Sequence, residues 1–160
     1  MMNSIWFHLL VNHIPIVGTA IGLGIVIVSL LRTNKTVRRV GLIVYIVTGL
    51  MAYPANFSGE AAEKVLKGAK GISADQIHVH EEAAQLALTL TSMTVILAML
   101  HLFNMPPSQK LQRYVFSGFV LIGIASLFQL AVTGHEGGVI RRPNLIGPTP
   151  QHTDIFRSTD

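Results

Sequence analysis

The chain has 160 residues, half of them hydrophobic, with a net charge of +4 and no cysteine. Only 12% of its residues are charged, against about 25% in a typical soluble domain, and its mean hydropathy is +0.51. These values exclude a large multidomain enzyme and a sizeable soluble domain, and the lack of cysteine excludes disulfides, iron–sulfur ligation and covalent haem attachment.

Four stretches of the chain contain no Asp, Glu, Lys or Arg, namely residues 1–31, 40–59, 83–109 and 114–135. Because about 20 apolar residues span a bilayer as a helix, each stretch predicts one transmembrane helix. We therefore expect an all-α integral membrane four-helix bundle over residues 1–136, with transmembrane helices at about 9–31, 40–57, 82–104 and 112–133. Gly134 is expected to end the last helix, and residues 137–160 to form an irregular extramembrane tail.

The first predicted helix begins near Ile5 and contains a proline and a pair of spaced glycines. Pro15 lies near its start, where a missing N–H is tolerated. Gly18 and Gly22 have the G-x-x-x-G spacing, which lets another helix or a flat cofactor approach the backbone closely. Helix packing is the simpler interpretation, but both glycines are also candidate cofactor contacts.

The connection between the second and third helices also carries helix signals. Residues 58–60 (Ser-Gly-Glu) can start a short interfacial helix that reaches about Lys67. Ser73 and Gln76 have capping-box spacing, which predicts the start of a third helix that runs to about Phe103.

Orientation is predicted from the basic residues of the connections, which flank apolar stretches and so indicate topology rather than nucleic-acid binding. The first and third connections carry six basic residues and no acid (Arg32, Lys35, Arg38, Arg39, Lys110 and Arg113), whereas all eight acidic residues fall on the other side. The basic residues divide equally between the two sides. The density of the first connection favours both termini on the outer side of the membrane.

Histidines from three predicted helices converge on the outer side of the membrane. Ionisable groups at membrane depth are costly and usually functional, which makes four of the seven histidines candidate metal ligands: His8, His13, His80 and His135. On a regular helix the first two would face about 140° apart, so each would pair with a different partner. His78, His101 and His152 are weaker candidates.

Four segments, in order, resemble motifs of the bacterial membrane proteins called the domain-of-unknown-function 2231 family. Residues 8–15 (HLLVNHIP) are similar to its H-x-x-x-x-H-x-P motif, 58–63 to T-G-E-x-A-E, 80–84 to H-E-x-A and 134–138 to G-H-x-G-G. Leu9 and Asn12 depart from the pattern. The resemblance covers about residues 5–140 and implies a four-helix protein of the bacterial inner membrane. It supports the importance of the four histidines without naming their ligand.

Three functions compete. The first is a b-type cytochrome-like electron-transfer subunit, more a carrier than an enzyme, in which the four histidines bind one or two haems b and Arg141 and Arg142 pair with propionates. The second is a non-haem copper or iron protein that adds Glu60, Glu81 or Glu136 as ligands. The third is a cofactor-free structural subunit. We expect membrane lipid and other subunits of a redox complex as partners, with quinone or cytochrome c as electron partner, and no nucleic acid.

Overall fold

The computed structural model describes residues 4–66 and 74–141, which form six helices and no strand. These are α1 (Ser4–Val11), α2 (His13–Leu31), α3 (Lys35–Leu50), α4 (Ala52–Leu66), α5 (Ala74–Leu102) and α6 (Gln109–Arg141). α1 continues into α2 and α3 into α4, so the six segments make four long helices, each long and apolar enough to cross a membrane. The prediction of an all-α four-helix protein is confirmed.

The first long helix runs over Trp6–Leu31, as expected, through a turn residue at Asn12 whose backbone angles stay helical (φ −65°, ψ −24°). Pro15 lacks an N–H, so the carbonyl of Val11 cannot receive its normal helical bond, and the proline ring crowds that carbonyl. The Asn12 N–H still donates to the His8 carbonyl at 2.9 Å. His8 therefore lies in α1 and His13 in α2, two consecutive segments of one long helix.

The second long helix is interrupted at Met51 rather than after Phe57, which differs from the prediction. Pro54 lies in the first turn of α4, where its missing N–H has no helical partner to lose. The Met51 N–H closes α3 on the Thr48 carbonyl at 3.2 Å. Residues 58–60 therefore continue α4 and do not start a separate interfacial helix; Lys67 and the capping serine at 73 lie outside the described residues.

The fourth long helix passes through Gly134 and extends to Arg141, beyond its predicted end. A glycine lowers the stability of a helix by about 1 kcal/mol relative to alanine, but Gly134 and Gly137 pack closely against neighbouring side chains. A Cβ on Gly134 would lie 3.1 Å from Ile16, and one on Gly137 would lie 3.2 Å from the His80 ring. Residues 137–141 of the expected irregular tail are thus helical, and 142–160 lie outside the described residues.

The hydrophobic core occupies one half of the bundle, towards the α2–α3 and α5–α6 connections, which we call the loop end. Its largest buried members include Tyr45 and Phe119, whose rings meet edge to face at 5.2 Å. α2 and α3 approach closely at Gly22 because this residue has no side chain. A Cβ there would lie only 2.6 Å from the Tyr45 backbone nitrogen. The opposite half, which we call the cleft end, is packed less completely and carries the candidate site.

Candidate functional site

A cleft at the cleft end is enclosed by segments of α1, α2, α4, α5 and α6. Its cavity volume is about 70 Å³, which is room for a few water molecules. Most of the lining side chains are small or apolar, and the two imidazoles among them come from separate helices. The lining comprises His8, Asn12, Pro15, Ile16, Ala52, Ala55, Asn56, His80, Ala84, Ala87, Leu88, Leu130, Thr133 and Gly134.

The half-buried His8 ring of α1 is held against α4. Its Nδ1 lies 3.1 Å from both the Ala55 carbonyl oxygen and the Ser58 Oγ, and the Ser58 hydroxyl donates to the same carbonyl at 2.8 Å. A carbonyl can only accept, so Nδ1 carries the proton and donates. In the neutral ring, Nε2 is then the nitrogen with a free lone pair, which is the metal-binding form.

The half-buried His80 ring of α5 is held against α6 in the same way. Its Nδ1 donates to the Thr133 carbonyl at 3.1 Å. Nε2 of this neutral ring is again the nitrogen with the lone pair. Histidines that ligate metals commonly donate their other ring N–H to a backbone carbonyl or carboxylate, which fixes tautomer and ring orientation.

The two rings use one structural device. Ala55 and Thr133 lie four residues before Gly59 and Gly137, so each carbonyl is the helical partner of a glycine N–H. The Thr133 carbonyl offers its second lone pair to the His80 ring, whereas the Ala55 carbonyl is shared by the His8 ring and the Ser58 hydroxyl. A Cβ on Gly59 would lie 3.1 Å from His8 Cε1, and one on Gly137 would lie 3.2 Å from His80 Cε1. The glycines therefore leave the space that lets each ring reach a helix carbonyl from the side.

The other two candidate ligands do not line the cleft. His13 is exposed, and its Nδ1 donates to the Leu9 carbonyl at 2.8 Å. His135 is exposed as well. The structure thus brings together His8 and His80 from the predicted set of four, and leaves His13 and His135 on the outside of the bundle.

The predicted cofactor contacts lie elsewhere or outside the description. Gly18 faces the side chain of Thr48, and Gly22 faces the backbone of Tyr45, so both serve the contact between α2 and α3. The side chain of Arg141 and all of Arg142 are outside the described residues. Residues 4–66 and 74–141 contain no group of three or more His, Cys, Asp or Glu side chains that could hold a metal ion.

Several contributors to the cleft were not identified from the sequence. Ser58, Gly59 and Gly137 position the rings, and the Asn12 Oδ1 is buried without a hydrogen-bond partner. The available signal was a glycine inside an amphipathic helix, which is costly unless something approaches the backbone closely. Comparison with family models, with curated proteins and with solved structures finds no match to the chain, so the chemistry of the cleft is inferred from its own residues.

Proposed function

We propose that the chain is a membrane-bound b-type cytochrome-like electron-transfer protein that binds one haem b through His8 and His80. The observation that carries this proposal is the matched state of the two imidazoles. They come from separate helices and line one cleft. In each ring Nδ1 donates a hydrogen bond to a helix carbonyl, so Nε2 is the nitrogen that can bind metal. A non-covalent haem needs imidazole ligands and a dry slot, which the core of a helical bundle can supply.

The composition of the cleft supports a flat apolar ligand. Ala52 and Ala55 of α4 and Ala84 and Ala87 of α5 contribute small methyl side chains to two of its sides. A porphyrin is larger than the 70 Å³ cavity, so the proposal entails a widening of the cleft on binding. The eight-residue α1 carries His8 and is the shortest of the six helices, and the proposal assigns the widening to a shift of α1 against α4.

Bound haem would supply one-electron exchange, and the chain would supply two oriented imidazoles and an apolar enclosure. Haem iron would need only two ligands from the protein, because the porphyrin would provide its remaining ligands. A bare copper or iron ion needs a larger set of protein ligands, and the described residues offer no group of three. A second haem would need His13 and His135, whose rings are exposed.

We also propose that the protein works with other subunits of a redox complex, with quinone or cytochrome c as donor or acceptor. The proposed location is the bacterial inner membrane, with the cleft end outward. The basic density of the first connection supports that orientation.

Four single variants test the haem proposal in the full chain, purified from haem-supplied cells. His8→Ala and His80→Ala should each lose the reduced-minus-oxidised absorbance bands of a bis-imidazole haem and most of the extractable haem. His13→Ala and His135→Ala are matched controls and should retain both. If His8→Ala and His80→Ala keep the wild-type spectrum and haem content, the assignment is wrong. Pigment-free wild-type protein with bound copper or iron would favour the second function, and neither cofactor would favour the third.

A further inference from the structure

The loop end of the bundle is rich in positive charge. It carries six basic residues, and no Asp or Glu occurs anywhere in residues 1–59 or 83–135. Six basic residues therefore lie in two acid-free stretches of the chain, 1–59 and 83–135: Arg32, Lys35, Arg38, Arg39, Lys110 and Arg113. An uncompensated basic cluster beside an apolar span attracts anionic lipid headgroups.

Arg38 differs from the other basic residues of this end because it is half-buried and held in place. Its guanidinium carbon lies 5.3 Å from the centroid of the Phe116 ring, and the His101 ring lies 4.6 Å from that centroid. A guanidinium on an aromatic face is fixed by cation–π attraction. Its planar fork of N–H donors matches phosphate oxygens.

Two polar atoms near this guanidinium lack hydrogen-bond partners. The Nδ1 of His101 and the Oε1 of Gln112 are buried and unpaired. The Gln112 amide nitrogen donates to the His101 carbonyl at 3.0 Å and to Asn104 Oδ1 at 3.1 Å, so its orientation is fixed and its oxygen stays unsatisfied. Buried polar atoms without partners are uncommon. The Gln112 oxygen can only accept and therefore does not favour phosphate, whereas the His101 Nδ1 can donate to a phosphate oxygen in the tautomer that carries its proton there.

We propose that Arg38 is the centre of a binding site for the phosphate of an anionic phospholipid, with the His101 Nδ1 as a second donor. The neighbouring surface favours a lipid over free phosphate. Val40, Leu111 and Tyr114 near this end are 48%, 43% and 63% exposed, so acyl chains have apolar side chains to cover. This site lies at the opposite end from the cleft and does not depend on haem binding.

The test uses the purified full chain and vesicles of defined composition. The chain is incubated with phosphatidylglycerol–phosphatidylcholine vesicles or with phosphatidylcholine alone, re-isolated in detergent, and analysed for retained lipid by native mass spectrometry. Wild type should retain phosphatidylglycerol in preference to phosphatidylcholine. Arg38→Gln should lower that retention about tenfold, whereas Arg39→Gln, the same charge change at an exposed neighbour, should stay within about twofold of wild type.

Equal losses in Arg38→Gln and Arg39→Gln would refute a defined site and leave only diffuse charge attraction. Displacement of the lipid by millimolar inorganic phosphate would overturn the lipid assignment in favour of a free anion. If Arg38→Gln fails to fold, Arg38→Lys tests the same geometry, because it keeps the charge and loses the planar fork. It should lower retention several-fold, and unchanged retention in that variant would also refute the proposal.

Discussion

Adding one methyl group at Gly137 or at Gly138 should separate the positioning of His80 from the ordinary stability of α6. The two glycines are adjacent in the same helix. A Cβ on Gly137 would lie 3.2 Å from His80 Cε1, whereas a Cβ on Gly138 would meet nothing within 4 Å. Gly138→Ala is therefore a matched control for the helix propensity that Gly137→Ala also gains.

The magnitudes follow from that contact. Each alanine should gain up to about 1 kcal/mol of helix stability. In Gly137→Ala the His80 ring must retreat by a few tenths of an ångström, which stretches its 3.1 Å bond to the Thr133 carbonyl. That bond contributes about 1 kcal/mol, so the stability of Gly137→Ala should stay near wild type while Gly138→Ala becomes more stable.

Haem binding should separate the two variants further. A ring pushed from its preferred rotamer costs about 0.5–1.5 kcal/mol, and about 1.4 kcal/mol corresponds to a tenfold change in affinity. Haem titration of the purified variants, followed by the absorbance of the bound form, should show up to about tenfold weaker binding for Gly137→Ala and wild-type binding for Gly138→Ala. Equal affinities in the two variants would refute the idea that Gly137 positions His80.

Three further predictions follow from other contacts. Ser58→Ala removes one of the two acceptors of the His8 Nδ1 and should weaken haem binding by about 1 kcal/mol, measured in the same titration. Thr89→Ala is the control and should bind haem as wild type does, because the Thr89 hydroxyl is exposed and bonded within its own helix. Gly22→Ala places a Cβ 2.6 Å from the Tyr45 backbone nitrogen and should lower the free energy of unfolding by about 1–3 kcal/mol, seen as a lower melting temperature. Gly24→Ala has open space around the added methyl group and should not lower it. Equal melting temperatures in the two variants would contradict this prediction. Cysteines at Lys35 and Lys110 should be shielded from an impermeant external label and one at Asp75 should react, and the reverse pattern would overturn the predicted orientation.

The four long helices follow from the sequence because charge-free stretches of bilayer length have few alternative structures. Their interruptions were harder to place. Pro54 was expected near the end of the second helix, but proline fits the first turn of a helix better than its last, and it starts α4. Gly134 was expected to end α6, but the approach of Ile16 and His80 to the glycines outweighs their weak helix propensity.

The candidate site was predictable in its residue type and only in part in its members. The convergence of histidines from three helices pointed to His8 and His80 along with two others. The separation of about 140° between His8 and His13 on a regular helix means that they do not both face one cleft. Which ring faces inward depends on the rotation and depth of each helix in the bundle, and that cannot be derived from spacing alone. His13, for example, directly follows Asn12, and its ring faces outward, where Nδ1 donates to the carbonyl of Leu9.

The repeated carbonyl–glycine device is the strongest reason to regard His8 and His80 as a functional pair rather than two packed histidines. A buried neutral imidazole needs only one hydrogen bond to settle its proton, and any nearby acceptor would serve. Here α4 has Gly59 and α6 has Gly137 beside a ring, although glycine lowers helix stability. The missing side chains let each ring hydrogen-bond to a carbonyl that already has a helical partner. Both rings thereby keep the same tautomer and leave Nε2 without a proton. Helix propensity alone would favour alanine at these two positions, whereas the proposed shared ligand would need both rings fixed in this state.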